Sequence, residues 1–257
     1  MSVPELPDLS GQSVLVTGAS GTVGRGVAWR FALAGAAVIV HYHKGAERAE
    51  ELVERVRGHG GKAVALGADV RDEDECHRLI RRSAEWAGRL TALVNNAGVQ
   101  PVQPLDGMTA AEWRQVVDTN LLSVFACTQA AVEVMRSTDG GSITHIASIE
   151  GSHPARQHAH YCSSKAAVIM HARSAAIEYA PLGIRVNVVS PGLIDKPGLE
   201  EEWPDGVRRW ESAAPLRRRG RPQDIGDACV FLASPMAEWV TGHNLVVDGG
   251  VSSAPTW

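Results

Sequence analysis

Short β-branched, apolar runs alternate with helical stretches along this chain, and this alternation limits the folds open to it. The first run, residues 13–17, is followed by glycines and then by a helical stretch at 25–34. Strands that alternate with helices lie parallel in one sheet and are joined by right-handed crossovers. Six further strands are predicted at 38–42, 63–66, 91–94, 142–147, 184–189 and 244–247. We therefore predict an α/β fold with a doubly wound parallel sheet of about seven strands and helices on both faces.

Three glycines join the first predicted strand to the first helix in a Gly-x-x-Gly-x-x-Gly pattern, at Gly18, Gly21 and Gly24. Glycine lets the backbone approach a pyrophosphate closely, and a helix N-terminus offers free N–H groups to an anion. The spacing differs from the Gly-x-Gly-x-x-Gly fingerprint of dinucleotide sites, and an ordinary tight turn fits it equally well. The turn alone leaves both interpretations open.

Tyr161 and Lys165 lie four residues apart, ahead of an apolar, Ala-rich run that is typical of a helix. Residues at i and i+4 share a helix face, so the ammonium is expected beside the phenol, where it lowers a pKa that is ordinarily near ~10. Work near neutral pH needs a shift of roughly three units, more than one solvent-exposed lysine supplies, so a second cation such as an oxidised nicotinamide must help. Tyr161 is a candidate general acid/base, although a surface Tyr and Lys would show the same spacing.

Two other polar residues occur where a ligand could meet this pair. Ser148 follows the predicted strand at 142–147, at the carboxyl edge of the sheet, where open α/β folds bind ligands. Asn120 precedes an apolar helical stretch and is predicted to head that helix. An ordinary turn serine and a helix N-cap are the structural alternatives for these two residues.

Taken together, these motifs resemble the short-chain dehydrogenase/reductase family, in its compact single-domain branch with members such as the 3-oxoacyl-acyl carrier protein reductases and glucose dehydrogenases. The resemblance runs from about Leu9 to Gly250. It rests on the joint order of Thr17, Gly18 and Gly24; Asp69 and Val70; Asn95, Asn96, Ala97 and Gly98; Asn120; Ser148; Tyr161 and Lys165; Pro191 and Gly192; and Val247, Asp248, Gly249 and Gly250. It implies a Rossmann-type sheet in a single domain spanning 1–257. It also implies an NAD(P)-dependent oxidoreductase that moves a hydride between nicotinamide and a carbonyl or secondary alcohol.

The resemblance assigns roles to individual residues. Tyr161 is the proton donor or acceptor, and Lys165 lowers its pKa and holds the nicotinamide ribose. Ser148 binds the substrate oxygen, and Asn120 positions a water in the proton relay. The predicted cofactor-binding residues are Gly18, Ser20, Thr22, Val23, Gly24, Tyr42, His43, Lys44, Asp69, Val70, Asn96, Ala97, Gly98, Tyr161, Lys165, Pro191, Gly192 and Ile194.

Two positions depart from the common pattern of the family. Thr22 stands where the middle glycine is usual, and that glycine comes one place earlier, as Gly21. This spacing is similar to the epimerase and dehydratase branch of the superfamily, although 257 residues are expected to leave no room for the extra domain of those proteins. Lys196 falls where a threonine commonly holds the nicotinamide carboxamide. A sugar-nucleotide epimerase or dehydratase and a non-catalytic NAD(P)-binding redox sensor therefore remain alternatives.

The end of the second predicted strand bears on the choice of cofactor. Sites that prefer NAD usually place a carboxylate there, about 20 residues past the glycines. Here the position holds Tyr42, followed by His43 and Lys44, and no acid appears before Glu47. Lys44 could pair with a 2′-phosphate, although Gly21 stands where many NADP-dependent relatives carry a basic residue. We predict that NADP(H) is preferred and that NAD(H) is possible.

Composition argues against several other classes of function. A net charge of −4 gives no general attraction to nucleic acid, and the basic run at 217–221 is interpreted as a surface loop. His153, His158 and His160 are not spaced for one helical face, so no metal is expected. No apolar stretch approaches the ~20 residues of a membrane span, and residues 1–12 contain no signal-peptide core. Four cysteines without metal or redox spacing fit a reduced compartment, and we expect a cytoplasmic protein with no membrane partner.

Two surfaces are expected to contact partners. The stretch 193–215 is predicted as an irregular lid over a small-molecule substrate, and its Trp203 and Trp210 either cover the substrate or pack the lid onto the body. The helices after Asn120 and Lys165 carry apolar faces broader than one sheet needs to cover. Because related enzymes pair these helices across a two-fold axis, a homotetramer or homodimer is expected.

Overall fold

Seven parallel strands form one sheet in the order β3-β2-β1-β4-β5-β6-β7. A computed structural model describes residues 6–253, so the start of the amino-terminal stretch examined for a signal peptide lies outside the described residues. The strands are β1 Ser13–Val16, β2 Ala37–Tyr42, β3 Ala63–Gly67, β4 Ala92–Asn95, β5 Gly141–Ile146, β6 Ile184–Pro191 and β7 Asn244–Val247. The predicted α/β class and the seven parallel strands are confirmed.

Helices cover both faces of this sheet. They are α1 Thr22–Leu33, α2 Ala46–Gly58, α3 Glu73–Ala87, α4 Ala110–Val117, α5 Ser123–Met135, α6 Ala159–Tyr179, α7 Leu199–Glu202, α8 Pro204–Ala213 and α9 Pro222–Ala233. One apolar layer packs α1, α2 and α9 against the sheet, and a second packs α3, α5 and α6 against its other face. Within the described residues no helix is both long enough and apolar enough to cross a membrane.

Alternation of side chains along the central strand explains these two layers. Val14 and Val16 belong to the first layer, whereas Leu15 between them belongs to the second. All three are fully buried, as expected for a parallel strand covered on both sides. Because both faces demand apolar residues, the strands contain near-continuous apolar runs.

The strand order also positions a crevice. The chain moves outward from β1 to β2 and β3, and then returns to the other side of β1 with β4. Ligands of open α/β sheets bind at such a switch point, outside the carboxyl ends of the strands. The glycine turn after β1 and the Asn96-Ala97-Gly98 turn after β4 meet at this point.

Two predicted boundaries are wrong. The first helix begins at Thr22, inside the glycine turn, because Gly21 already adopts the extended N-cap conformation. The stretch 193–215 is not irregular, because it contains α7 and α8. Proline at the first position of α8 favours a helix start, and the buried Val207 anchors this helix to the body.

Candidate active site

The predicted catalytic centre contains the buried Lys165 and Ser148 and the half-buried Tyr161. Lys165 donates from Nζ to the backbone oxygen of Ile146, the last residue of β5, at 2.7 Å. The same Nζ lies 5.6 Å from the centroid of the Tyr161 ring, because both residues occupy one face of α6. Ser148 lies two residues past the end of β5, and its hydroxyl is close enough to the Tyr161 phenol to act on the pKa of that group. The predicted shared helix face is therefore confirmed.

The electrostatics of Tyr161 differ from the expectation. Burial raises the pKa of Tyr161 to about 12, and the neighbouring Ser148 hydroxyl only partly opposes this. The negative charge of Glu150 raises the pKa further. The Lys165 ammonium, 5.6 Å from the ring centroid, does not offset these effects, so the pKa of Tyr161 is not lowered by the protein's own groups alone. The phenol therefore stays protonated near neutral pH, and its ionisation there would need a further positive charge.

Lys165 is itself perturbed by its surroundings. Burial lowers the pKa of Lys165 to about 8, because an ammonium is costly to remove from water. Within the described residues it forms no salt bridge, and its partner is the Ile146 carbonyl. The side chain is therefore fixed in place while its charge stays uncompensated.

Asn120 lies inside a continuous helical segment and does not head a helix. The predicted start is wrong because Thr109 and Glu112 form the capping box at the beginning of α4. A π-helical turn, Asp118–Leu122, then joins α4 to α5 and holds the fully buried Asn120. Such turns occur often at functional sites.

Asn120 uses its amide to fix neighbouring segments. Its Nδ2 donates to Val99 O at 2.9 Å and to Ser164 Oγ at 3.2 Å. Its Oδ1 accepts from Val99 N at 2.8 Å. A Cβ atom on Gly98 would lie 3.1 Å from Asn120 Oδ1 and 3.6 Å from Lys165 Nζ, so these groups share one corner of the crevice.

The glycine turn forms a cradle that larger residues would fill. Gly18 adopts a positive φ of 63°. A Cβ on Gly24 would lie 2.5 Å from Gly18 O and 2.6 Å from Asn96 Nδ2. No side chain caps the N-terminus of α1, so the first N–H groups of Thr22 and Val23 are available to an anion. This cradle fits a pyrophosphate.

Asn96 holds the cradle from the neighbouring strand. Its Nδ2 donates to Thr17 O at 2.8 Å and to Gly18 O at 3.3 Å. Thr17 Oγ1 in turn accepts from Asn96 N at 2.9 Å and from Ala97 N at 3.0 Å. The side chain of Asn96 thus fixes the turn, a role that its predicted place in the cofactor set did not specify.

The sequence reasoning missed His41, which supports the same turn from β2. Its Nδ1 accepts from Gly18 N at 2.9 Å, and its Nε2 donates to Ala68 O at 3.1 Å. Burial lowers the pKa of His41 to about 4, which keeps the ring neutral and able to accept. A histidine within an apolar strand, one residue before the predicted cofactor position Tyr42, was the available signal.

The residues after β2 are more open. The ring of Tyr42 covers Gly67, where a Cβ would lie 3.1 Å from the ring. His43 Nε2 lies 3.7 Å from Asp69 Oδ2, and Lys44 is exposed. Arg71 also pairs with Asp69 and holds the pKa of that carboxyl well below its usual range. Ser20 lies close by, with its Oγ 2.9 Å from the Cβ position of Gly45, and Val70 is buried beside this group.

The opposite end of the crevice lies under the lid. Gly192, just after Pro191, donates to Val247 O at 3.1 Å, and a Cβ there would lie 2.6 Å from the Trp210 ring. Trp210 therefore packs the lid onto the body. Ile194 bridges to Gly220, which ties the start of the lid to the segment before α9.

Charged residues of the lid pair with one another. Lys196, which stands where the family commonly has a threonine, forms an ion pair with Glu202 at 2.6 Å. Arg219, from the basic run, pairs with Asp195 at 3.1 Å, Glu200 at 3.4 Å and Glu211 at 3.0 Å.

The described residues contain no group of three or more His, Cys, Asp or Glu side chains that could hold a metal ion.

Comparisons with known proteins find relatives over nearly the whole chain. Residues 18–252 match the family model described as enoyl-(acyl carrier protein) reductase. A 3beta-hydroxysteroid dehydrogenase of Eggerthella lenta is 37% identical over 252 residues, which is 96% of each chain.

Solved structures extend the likeness to the fold. A candidate short-chain alcohol dehydrogenase from Sinorhizobium meliloti is 37% identical with a TM-score of 0.91, over 96% of this chain and 99% of that one. A candidate gluconate dehydrogenase from Agrobacterium tumefaciens is 31% identical with a TM-score of 0.91, over 96% and 98% of the two chains. These relatives are named as dehydrogenases, and the match covers nearly the whole length of each. This chain belongs to the short-chain dehydrogenase/reductase family.

Proposed function

We propose that the protein is an NAD(P)-dependent dehydrogenase or reductase that interconverts a carbonyl and a secondary alcohol, with Tyr161 as the general acid/base. One observation carries the proposal. Tyr161, the neighbouring Ser148 and the buried Lys165 stand together at the carboxyl edge of the sheet, beside the glycine cradle. Fold alone does not imply chemistry, but this set of groups at a ligand-binding edge matches what carbonyl reduction requires.

The chain's own groups divide the work. A bound nicotinamide would supply or accept the hydride. Ser148 holds the carbonyl oxygen, and Tyr161 gives that oxygen its proton during reduction or takes it during oxidation. Lys165, fixed by Ile146 O, holds the nicotinamide ribose and stabilises the phenolate that remains after proton donation. Asn120 fixes the loop after β4 through Val99 and positions a water that returns the proton.

For the cofactor we propose NADP(H) in preference to NAD(H). Lys44 is exposed at the end of β2, and the neutral Tyr42 does not repel a 2′-phosphate. The other proposed cofactor contacts outside the catalytic pair are Gly18, Ser20, Thr22, Val23, Gly24, His43, Asp69, Val70, Asn96, Ala97, Gly98, Pro191, Gly192 and, at the nicotinamide end, Ile194.

The activity is tested by following NAD(P)H absorbance with ketones, 3-oxoacyl thioesters, sugars and steroid-like rings. Tyr161→Phe should lower turnover by roughly 10²–10⁴-fold and leave cofactor binding nearly intact, because only the transferable proton is lost. Tyr179→Phe is the matched control, since its hydroxyl donates to Gln129 at 2.7 Å, away from the crevice. Cofactor binding without turnover of any compound would favour a sensor. Conversion of a sugar nucleotide without net cofactor change would favour an epimerase.

We also propose that the protein assembles as a homotetramer or homodimer. Four large apolar side chains stay exposed on or beside α5 and α6, namely Leu122 and Phe125 at 40%, Met170 at 57% and Ile177 at 78%. Exposed apolar patches of this kind mark association surfaces. Light scattering at micromolar concentration should give a mass of two or four chains, and a single species of 27.4 kDa would reject the assembly.

A further inference from the structure

Glu150, two residues after Ser148, has a carboxylate whose contacts join three segments. Its Oε1 accepts from Gln100 Nε2 at 3.0 Å, in the loop that follows β4. Its Oε2 accepts from His158 Nδ1 at 2.9 Å and contacts Cys162 Sγ at 3.6 Å, both at the start of α6. Only 18% of its side chain is exposed. The carboxylate is therefore fixed by the protein and has little capacity left to bind a ligand itself.

These contacts orient the ring of His158. A carboxylate only accepts hydrogen bonds, so the nitrogen that faces Glu150 must carry the hydrogen. A neutral ring then presents Nε2 as an acceptor. Among the described residues His158 Nε2 has no hydrogen-bond partner, and the only buried side-chain polar atom without one is His160 Nε2. His158 Nε2 is therefore accessible from outside the protein.

The loop that carries His158 is held in a strained conformation. Gln157, the preceding residue, has a φ of 66°, which is uncommon for a residue with a side chain. Gln103 N donates to Gln157 O at 2.8 Å, from the same loop as Gln100. Strain that the surroundings enforce is typical of functional sites.

His158 lies beside the proposed acid/base. Its ring centroid is 6.2 Å from the centroid of Tyr161, with the two planes at 69°. The Glu150 charge also acts on the Tyr161 phenol, so this carboxylate, the imidazole and the phenol share one environment. At this separation a small substrate held at Tyr161 and Ser148 reaches His158 through an atom close to its reacting carbon.

We propose that His158 Nε2, oriented by Glu150, accepts a hydrogen bond from a hydroxyl on the carbon next to the reacting carbon. The substrates are then vicinal diols and α-hydroxy ketones, rather than isolated alcohols or ketones. The inference rests on the proposed function and narrows its substrate class. His158 is a specificity-determining residue, and Glu150 is a positioning residue that acts through it. A site built to bind a hydroxyl discriminates against analogues that lack it, because its polar group is left unpaired.

Two matched pairs of probes test this inference. The first compares kcat/KM for reduction of 2-hydroxycyclohexanone and cyclohexanone with NADPH. The second measures calorimetric affinity of trans-cyclohexane-1,2-diol and cyclohexanol for the protein saturated with NADPH, because an alcohol cannot be oxidised in that complex. We expect a preference of about tenfold for the hydroxylated probe in the wild type. His158→Phe should abolish this preference, because kcat/KM should fall more for 2-hydroxycyclohexanone than for cyclohexanone.

The remaining variants separate positioning from structure. Glu150→Gln should retain part of the preference, because its amide oxygen still accepts from Nδ1. His243→Phe is the control, since His243 is exposed beside the start of β7, at the opposite edge of the sheet. Equal affinities and rates for both probes in the wild type, or an unchanged preference in folded His158→Phe, would overturn the inference. If His158→Phe does not fold, an undiminished preference in Glu150→Gln overturns it. Preferential binding of the diol without turnover of any probe would instead contradict the proposed function.

Discussion

Lys165 and Asn120 are buried beside Tyr161, each held by hydrogen bonds to backbone, whereas His43 and Lys44 at the end of β2 are exposed. The first region is fixed by the fold, because a buried polar group left without a partner costs about 1–3 kcal/mol. The second region tolerates change, because water satisfies exposed groups and exposed ion pairs contribute about 0–1 kcal/mol. The comparison separates the chemistry, which the core specifies, from the cofactor preference, which surface residues specify.

Removal of Lys165 should show the larger effect. Lys165→Ala deletes the buried charge that stabilises the phenolate and the group that is proposed to hold the ribose. We expect kcat to fall by roughly 10²–10⁴-fold and cofactor affinity to fall as well. Steady-state kinetics and a cofactor titration measure both quantities. Lys62→Ala, at an exposed lysine before β3, is the control and should change neither. Full activity of Lys165→Ala would contradict the claim that the buried residues specify the chemistry.

A charge at the end of β2 should have a smaller and more selective effect. Tyr42→Asp adds repulsion toward a 2′-phosphate and an acceptor for ribose hydroxyls, so it should reverse the preference for NADP(H). We expect about a fivefold change in kcat/KM for each cofactor, equivalent to roughly 1 kcal/mol for one exposed charge. Tyr42→Asn removes the same ring without adding charge and should leave the order of preference unchanged. A wild-type enzyme that prefers NADH would show that Lys44 does not set the preference.

The sequence predicts features that local pattern and helix geometry determine, and it does not predict those that depend on the rest of the fold. Apolar runs such as Val14 and Leu15 predict the strands, because both faces of the sheet are buried. The spacing of Tyr161 and Lys165 predicts their shared face, since helix geometry fixes it. Asn120 was assigned to a helix start because the π-helical turn leaves no local signature, and the true start depends on the capping box at Thr109.

Roles that depend on long-range contacts were also beyond the sequence. His41 reaches Gly18 across 23 residues, and Asn96 reaches Thr17 across 79. The pKa of Tyr161 depends on how deeply the fold buries it, which the local spacing to Lys165 does not reveal. The pairing of His158 with Glu150 likewise appears only when the loop after β5 is folded against α6.

Titration of the Tyr161 phenol tests the central claim most directly. The chain has three tyrosines, so the ultraviolet difference between the wild type and Tyr161→Phe isolates this one. The account predicts that, without cofactor, the Tyr161 phenol stays protonated up to a pKa of about 12. Saturating NADP⁺ should move the titration several units lower, because its positive nicotinamide adds to the charge of Lys165, whereas NADPH should not. An identical Tyr161 titration with NADP⁺, with NADPH and with neither would contradict the account.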